Sequence, residues 1–200
     1  LFIKEGPDIL KVIKGNSSAS IFLDLKLHDI PTTVRSALRS AATHGARFIT
    51  IHGSSGKSTL QTATEVKDLG LEVLAVTVLT SVSESELRDL GYKENLNLSQ
   101  LVLDRASVAE KSGCAGVVCS GEEVALIKHS CSADFKVVVP GIRPVWAEVR
   151  KDDQSRIVTP KDAISNGADL IVVGRPIRDD KKPDVAARKI VEEIKSALIA

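Results

Sequence analysis

Short apolar, β-branched runs recur between helical stripes, and this alternation limits what the chain can fold into more than any other feature. Leu71-Glu-Val-Leu-Ala-Val-Thr-Val-Leu79 has the continuous apolar character of a strand buried on both faces. Shorter strand-like runs stand at 21–27, 47–51, 115–119, 135–139 and 168–173. Val34, Ala37, Leu38, Ala41 and Ala42 trace a helical stripe that stops near His44-Gly45. Further helices are expected over 57–69, 84–90, 98–112, 122–129 and 161–166, with an amphipathic helix closing the chain over 185–199. A helix started by Pro7 opens it and breaks at Gly15-Asn-Ser-Ser.

Six strands alternating with helices imply parallel βα units joined by right-handed crossovers. Periodicity alone leaves a doubly wound sheet and a barrel both open. A (β/α)8 TIM barrel takes about 250 residues, or roughly 30 per unit, so a chain of this length holds about six units. The first helix arrives without a strand of its own, which fits a single (β/α)-barrel domain over residues 1–200 that is incomplete at its N-terminus. Polar residues gather where the strands end: Asp24 to Asp29, His52-Gly53, Thr80-Ser81, Cys119-Ser120, Pro140 to Arg143, and Gly174-Arg175. In barrels, those are the ends that carry chemistry.

The first of these clusters is the densest. Leu23, Leu25 and Leu27 alternate with Asp24 and Lys26, so the two charged residues are expected on one strand face and the leucines on the other. Pro31 suits the first turn of the next helix, and Asp29 falls in the turn before it. Charged groups at the end of a buried element belong to a site or to a buried ion pair, and the D-x-K-x-x-D spacing alone fits either. Asp29 alone also reads as a helix-entry carboxylate. Gly174-Arg175-Pro176 offers a backbone that an anion can approach beside a guanidinium, which suits phosphate. The segment 140–158, with Arg143 and Gln154, is longer than most connections and reads as a lid.

Composition sets the outer bounds. With 43% hydrophobic residues, 200 residues give one substantial core. The 27 basic and 26 acidic residues nearly cancel, so no overall field points to nucleic acid or to an anionic membrane surface. No apolar run reaches transmembrane length. Cys114, Cys119 and Cys131 lack metal-finger and C-x-x-C spacing and read as reduced structural thiols of a cytoplasmic protein. His28, His44, His52 and His129 read as structural or exposed.

Phe22-Leu-Asp24-Leu-Lys26-Leu-His-Asp29-Ile-Pro-Thr-Thr33-Val, Ala75-Val-Thr-Val-Leu-Thr80-Ser81, Gly116-Val-Val-Cys-Ser120, Pro140-Gly-Ile-Arg143-Pro, Asp152-Asp-Gln154-Ser-Arg-Ile-Val-Thr-Pro160 and Val172-Val-Gly174-Arg175-Pro-Ile together resemble the orotidine 5′-phosphate decarboxylase family in its bacterial form. The resemblance runs from end to end of the chain. It implies decarboxylation of orotidine 5′-monophosphate to UMP and CO2 in de novo pyrimidine biosynthesis, with no metal and no organic cofactor. It implies that Lys26 protonates C6 of the pyrimidine, that Asp24 lies beside the departing group, and that Asp29 is contributed across a homodimer interface to shared active sites. Thr33 resembles a ribose contact, Thr80 and Ser81 pyrimidine contacts, and Arg143, Gln154, Gly174 and Arg175 the phosphate-binding set.

The family pattern also has an aspartate ending its first strand and a lysine ending its second. Both would precede Leu1, so the first strand, first helix and second strand are expected to be missing from this chain. Two rival readings are a Mg²⁺-dependent phospho-sugar aldolase or decarboxylase on the same barrel and a non-catalytic phospho-ligand-binding barrel. Ile30-Pro31-Thr-Thr33 and Thr80-Ser81 speak against the first.

Overall fold

The computed structural model describes residues 2–147 and 156–199. Six parallel strands, β1 (Ile21–Leu27), β2 (Ala46–His52), β3 (Glu72–Val76), β4 (Gly116–Val118), β5 (Lys136–Val139) and β6 (Leu170–Ile171), follow one another in the sheet in chain order. This is the βα succession of a (β/α)8 TIM barrel, with six of its units present. Two compact units divide the chain: residues 1–76 with 108–116, and 77–107 with 117–200.

In the first unit, α1 (Phe2–Glu5) and α2 (Asp8–Asn16) precede β1, and the opening helix gives way to extended backbone at Ser17. Next comes α3 (Pro31–Thr43), with Pro31 in its first turn, as the sequence predicts. Val34, Leu38 and Ala41 of its stripe are buried, as are Ile21 and Leu23 of β1 and Ile49 and Ile51 of β2, the strand against which α3 packs. β2 pairs with β3 in unbroken register from Phe48↔Glu72 to His52↔Val76. The helix expected over 57–69 is α-helical only as α4 (Lys57–Leu60) and continues as a 3₁₀ helix over Gln61–Leu69. Two of its threonines bond back along the turn. Thr62 Oγ1 donates to Thr59 O at 2.6 Å and Thr64 Oγ1 to Gln61 O at 2.9 Å, each to a carbonyl three residues back.

In the second unit, α5 (Glu84–Asp89) begins with a capping box in which the Ser83 hydroxyl and the Glu86 carboxylate each bind the other's backbone N–H. α6 (Leu98–Lys111) starts in this unit. Its Arg105 bonds both Thr77 O and the Tyr92 hydroxyl, tying the 80–97 segment down. β4 and β5 are buried throughout except Lys136, as expected for strands covered on both faces. α7 (Val124–Ser130), α8 (Pro160–Ser165), α9 (Arg175–Arg178) and α10 (Pro183–Ile199) follow. The hydroxyl of Thr159 accepts from Asp162 N–H and caps α8. β3 and β6 are shorter than the apolar runs that contain them, although Val172 N–H still donates to Val139 O at 2.8 Å beyond the end of β6.

Candidate active site

The first charged cluster takes a shape that simple alternation does not predict. In the pairing of β1 with β2, Leu23 stands opposite Ile49 and Leu27 opposite Ile51. Asp24, Leu25 and Lys26 therefore face Thr50 alone, which makes a wide bulge at the end of the strand. Among the described residues, Lys26 is the one non-glycine position with positive φ, at 48°. Leu23 and Leu25 still share a side, lining a cavity of about 140 Å³ with Leu10 and Ala41. Asp24 and Lys26 meet as expected, with Lys26 Nζ 2.6 Å from Asp24 Oδ2. The route to that contact is a left-handed residue rather than an extended one.

The pair is only partly buried. The Asp24 and Lys26 side chains keep 46% and 38% of their surface in solvent, so the buried-ion-pair reading does not hold. An ion pair this exposed adds about 0–1 kcal/mol to stability. Asp29 is exposed in the following turn, where its Oδ1 accepts from Ile30 N–H at 2.7 Å and its carbonyl accepts from Thr59 Oγ1 at 3.3 Å. The carboxylate thus stiffens the entry to α3 and still faces solvent. Thr33 is exposed in the first turn of that helix. The His28 and His52 rings meet at a tilt of 39° with centroids 5.2 Å apart, and His44 Nδ1 lies 2.8 Å from Ser40 O, which fits structural roles.

In the second unit, Thr80 is buried and Ser81 exposed just past Thr77 and Val78, at the end of the β3 run. Arg143 is half-buried, and its backbone N–H donates to Val158 O at 2.8 Å beside an isolated Ile142↔Val158 bridge that closes the base of the long segment. Gln154 and the middle of that segment lie outside the described residues. Gly174 precedes α9, and a side chain built on it would meet nothing within 4 Å, so its backbone is open to close approach by a ligand. Arg175 is the first residue of α9 and is half-buried.

Three features of these regions were not legible in the sequence. Thr50 binds both members of the charged pair, but a threonine in a β-branched strand gives no signal. Glu123 and Arg156, far apart in the chain, form a buried ion pair. Glu123 Oε2 also accepts from Ser120 N–H at 3.0 Å, and Arg156 Nη2 reaches Leu79 O at 3.3 Å. Burial raises the Glu123 carboxyl above its ordinary range, against the opposing pull of Arg156. Third, Arg105 anchors the segment after Thr80-Ser81. Among the described residues, no group of three His, Cys, Asp or Glu side chains is placed to hold a metal ion.

A family model described as orotidine 5′-phosphate decarboxylase / HUMPS family matches residues 1–190. The chain belongs to this family. Curated family members named orotidine 5′-phosphate decarboxylase include one from Desulfosudis oleivorans, 47% identical over 99% of this chain and 81% of its own length. Another, from Nostoc, is 44% identical over 97% of this chain and 83% of its own length. Among solved structures, orotidine 5′-phosphate decarboxylase from Lactobacillus acidophilus superimposes with a TM-score of 0.83 at 36% identity, covering 97% of this chain and 83% of that one. The family model's description carries two names, and these relatives carry the first. Among the described residues, no helix is long and apolar enough to cross a membrane.

Proposed function

We propose that the protein decarboxylates orotidine 5′-monophosphate to UMP and CO2, with Lys26 as the proton donor. The observation that carries this is the solvent-accessible Asp24–Lys26 pair on a bulged strand end, in a chain whose curated relatives bear that enzyme's name. When the bond from C6 to the carboxylate carbon breaks, its electron pair stays on C6 and CO2 departs. The pyrimidine ring delocalises that charge poorly. An ammonium fixed in place beforehand stabilises the developing carbanion without having to reorganise, and one of its N–H protons then passes to C6. The neutral amine regains a proton from solvent. Asp24 serves by holding the ammonium in position beside the departing group.

Thr33 contacts the ribose, Thr80 and Ser81 the pyrimidine, and Arg143, Gln154, Gly174 and Arg175 the phosphate. The open approach at Gly174 supports the last of these. Phosphate binding far from C6 contributes to rate when its binding free energy is used to orient the reacting end. The enzyme works in the cytoplasm as a homodimer with shared sites, to which the exposed Asp29 contributes across the interface, and it needs no metal. The test is turnover of orotidine 5′-monophosphate, followed by its absorbance change, with and without EDTA. Wild-type turnover unaffected by EDTA, abolished in a folded Lys26→Ala variant, is the expected result. Unchanged turnover in that variant refutes the assignment, and loss of activity in EDTA returns the metal-dependent aldolase or decarboxylase reading.

A further inference from the structure

We infer that Thr50 is a positioning residue, whose single hydroxyl sets the backbone of Lys26 and the direction of its ammonium together. The inference rests on the reading of Lys26 as the proton donor and goes beyond it to the device that holds the lysine.

Thr50 is 1% exposed, so its hydroxyl must find partners within the protein. It finds two, both in the charged cluster. Lys26 N–H donates to Thr50 Oγ1 at 2.8 Å, and Thr50 Oγ1 donates to Asp24 Oδ1 at 2.7 Å. The other oxygen of that carboxylate receives Lys26 Nζ at 2.6 Å. These bonds close a ring that runs from the lysine backbone through the threonine to the aspartate and back to the lysine ammonium. The hydroxyl uses its one proton toward Asp24 and a lone pair toward Lys26, so the polarity of the ring is fixed.

The bulge shows why the ring is needed. Opposite Thr50, β1 has three residues where a regular ladder has one, and the Lys26 amide loses its strand partner. Left-handed backbone costs an L-residue roughly 1–2 kcal/mol, and a buried N–H without an acceptor costs about as much again. Thr50 Oγ1 supplies that acceptor and so removes the second of these costs. On its other side, Thr50 pairs with Leu74 in the unbroken β2–β3 ladder, so the hydroxyl is held by a rigid strand. Its β-branched side chain narrows χ1, which fixes the oxygen further. The bond to Lys26 N–H holds the left-handed backbone and the bond to Asp24 Oδ1 aims the carboxylate that receives Nζ, so losing the hydroxyl releases both ends of the lysine, and a catalytic ammonium displaced by about 1 Å can cost on the order of 100-fold in rate.

The experiment compares Thr50→Ser, which keeps the hydroxyl, with Thr50→Val, which keeps the shape, and Thr50→Cys, which keeps a weak donor and acceptor. Expected is a Thr50→Ser enzyme within about threefold of wild type in kcat, and a fall on the order of 10- to 100-fold in the valine and cysteine variants, with KM for the nucleotide little changed. If the valine variant does not fold, the serine and cysteine pair carries the comparison. Wild-type kcat in the valine variant, or in the cysteine variant where valine fails, overturns the inference. So does a serine variant as slow as the others, because the methyl and not the hydroxyl would then matter. A crystal structure of the valine or cysteine variant provides a readout that needs no turnover: Lys26 is expected to leave positive φ and its Nζ to leave Asp24. Retention of both overturns the inference. Loss of both, in a protein whose wild type shows no turnover of orotidine 5′-monophosphate, supports the positioning device while refuting the proposed activity.

Discussion

Replacing Arg156 with methionine tests the buried charge pair of the second unit. Methionine has nearly the length of the arginine stem, but it leaves Glu123, 2% exposed, with Ser120 N–H as the remaining bond described for its carboxylate. Removing one partner of a buried pair costs about 3–5 kcal/mol, because the other charge is left uncompensated. In a chain of this size, each kcal/mol moves the melting temperature by about 2–4 °C, so Arg156→Met should lower Tm by roughly 6–20 °C.

The pH dependence carries the sharper test. Burial already raises the folded-state pKa of Glu123 above its ordinary value of 4.5. The folded state therefore holds the proton where the unfolded state has lost it, and stability falls as pH rises from the unfolded value through the folded one. Loss of Arg156 removes the opposing attraction, pushes the folded value higher and deepens that fall. Differential scanning calorimetry at pH 5 and pH 8 should show the Arg156→Met deficit larger at pH 8, and Glu123→Gln on top of it should recover stability there. A deficit equal at the two pH values, or a double variant as unstable at pH 8 as the single one, refutes the reasoning.

Mixing inactive Lys26→Ala with inactive Asp29→Ala should restore some turnover if subunits share sites, and no recovery after verified subunit exchange counts against sharing. A Cβ on Gly121 would stand 2.5 Å from Val158 Cγ1 and 2.8 Å from its Cβ, so Gly121→Ala should cost about 1–3 kcal/mol in urea unfolding. Adding Val158→Ala should return only part of that loss, because the Cβ at 2.8 Å remains, whereas Val158→Gly removes every close atom of that side chain. Burial raises the Cys114 thiol to about 12 and the Cys119 thiol still further, whereas Cys131 is only half-buried. Iodoacetamide at pH 8 should therefore modify Cys131 in the native protein and the other two only after denaturation, as read by peptide mass mapping.

The strand and helix succession was legible because it rests on burial, and burial writes itself as periodicity. Val34, Leu38 and Ala41 face the core of α3 where the stripe places them, and the Pro31 start and the stop near Gly45 are local chemistry. What escaped were features set by hydrogen bonds between distant residues. The left-handed Lys26 is invisible in an alternating pattern that reads as extended, since its cause is a hydroxyl 24 residues away. The tightened turns over Gln61–Leu69 stand in a segment whose residues read equally well as an ordinary helix. Arg156 looked like one more polar residue in a long loop, yet it is buried against Glu123. The types and spacing of Asp24 and Lys26 left a site and a buried ion pair both open, and their exposure could only come from coordinates.

The bulge has a consequence for anyone wishing to move this chemistry to another scaffold. Transplanting Asp-Leu-Lys into a regular strand would copy the letters and place the two charges on one face. It would leave the lysine extended, with no hydroxyl across the ladder and no spare residues to loop outward. The smallest portable piece is therefore a pair of strands: Leu23 to Leu27 together with Ile49 to Ile51, carried with their uneven register.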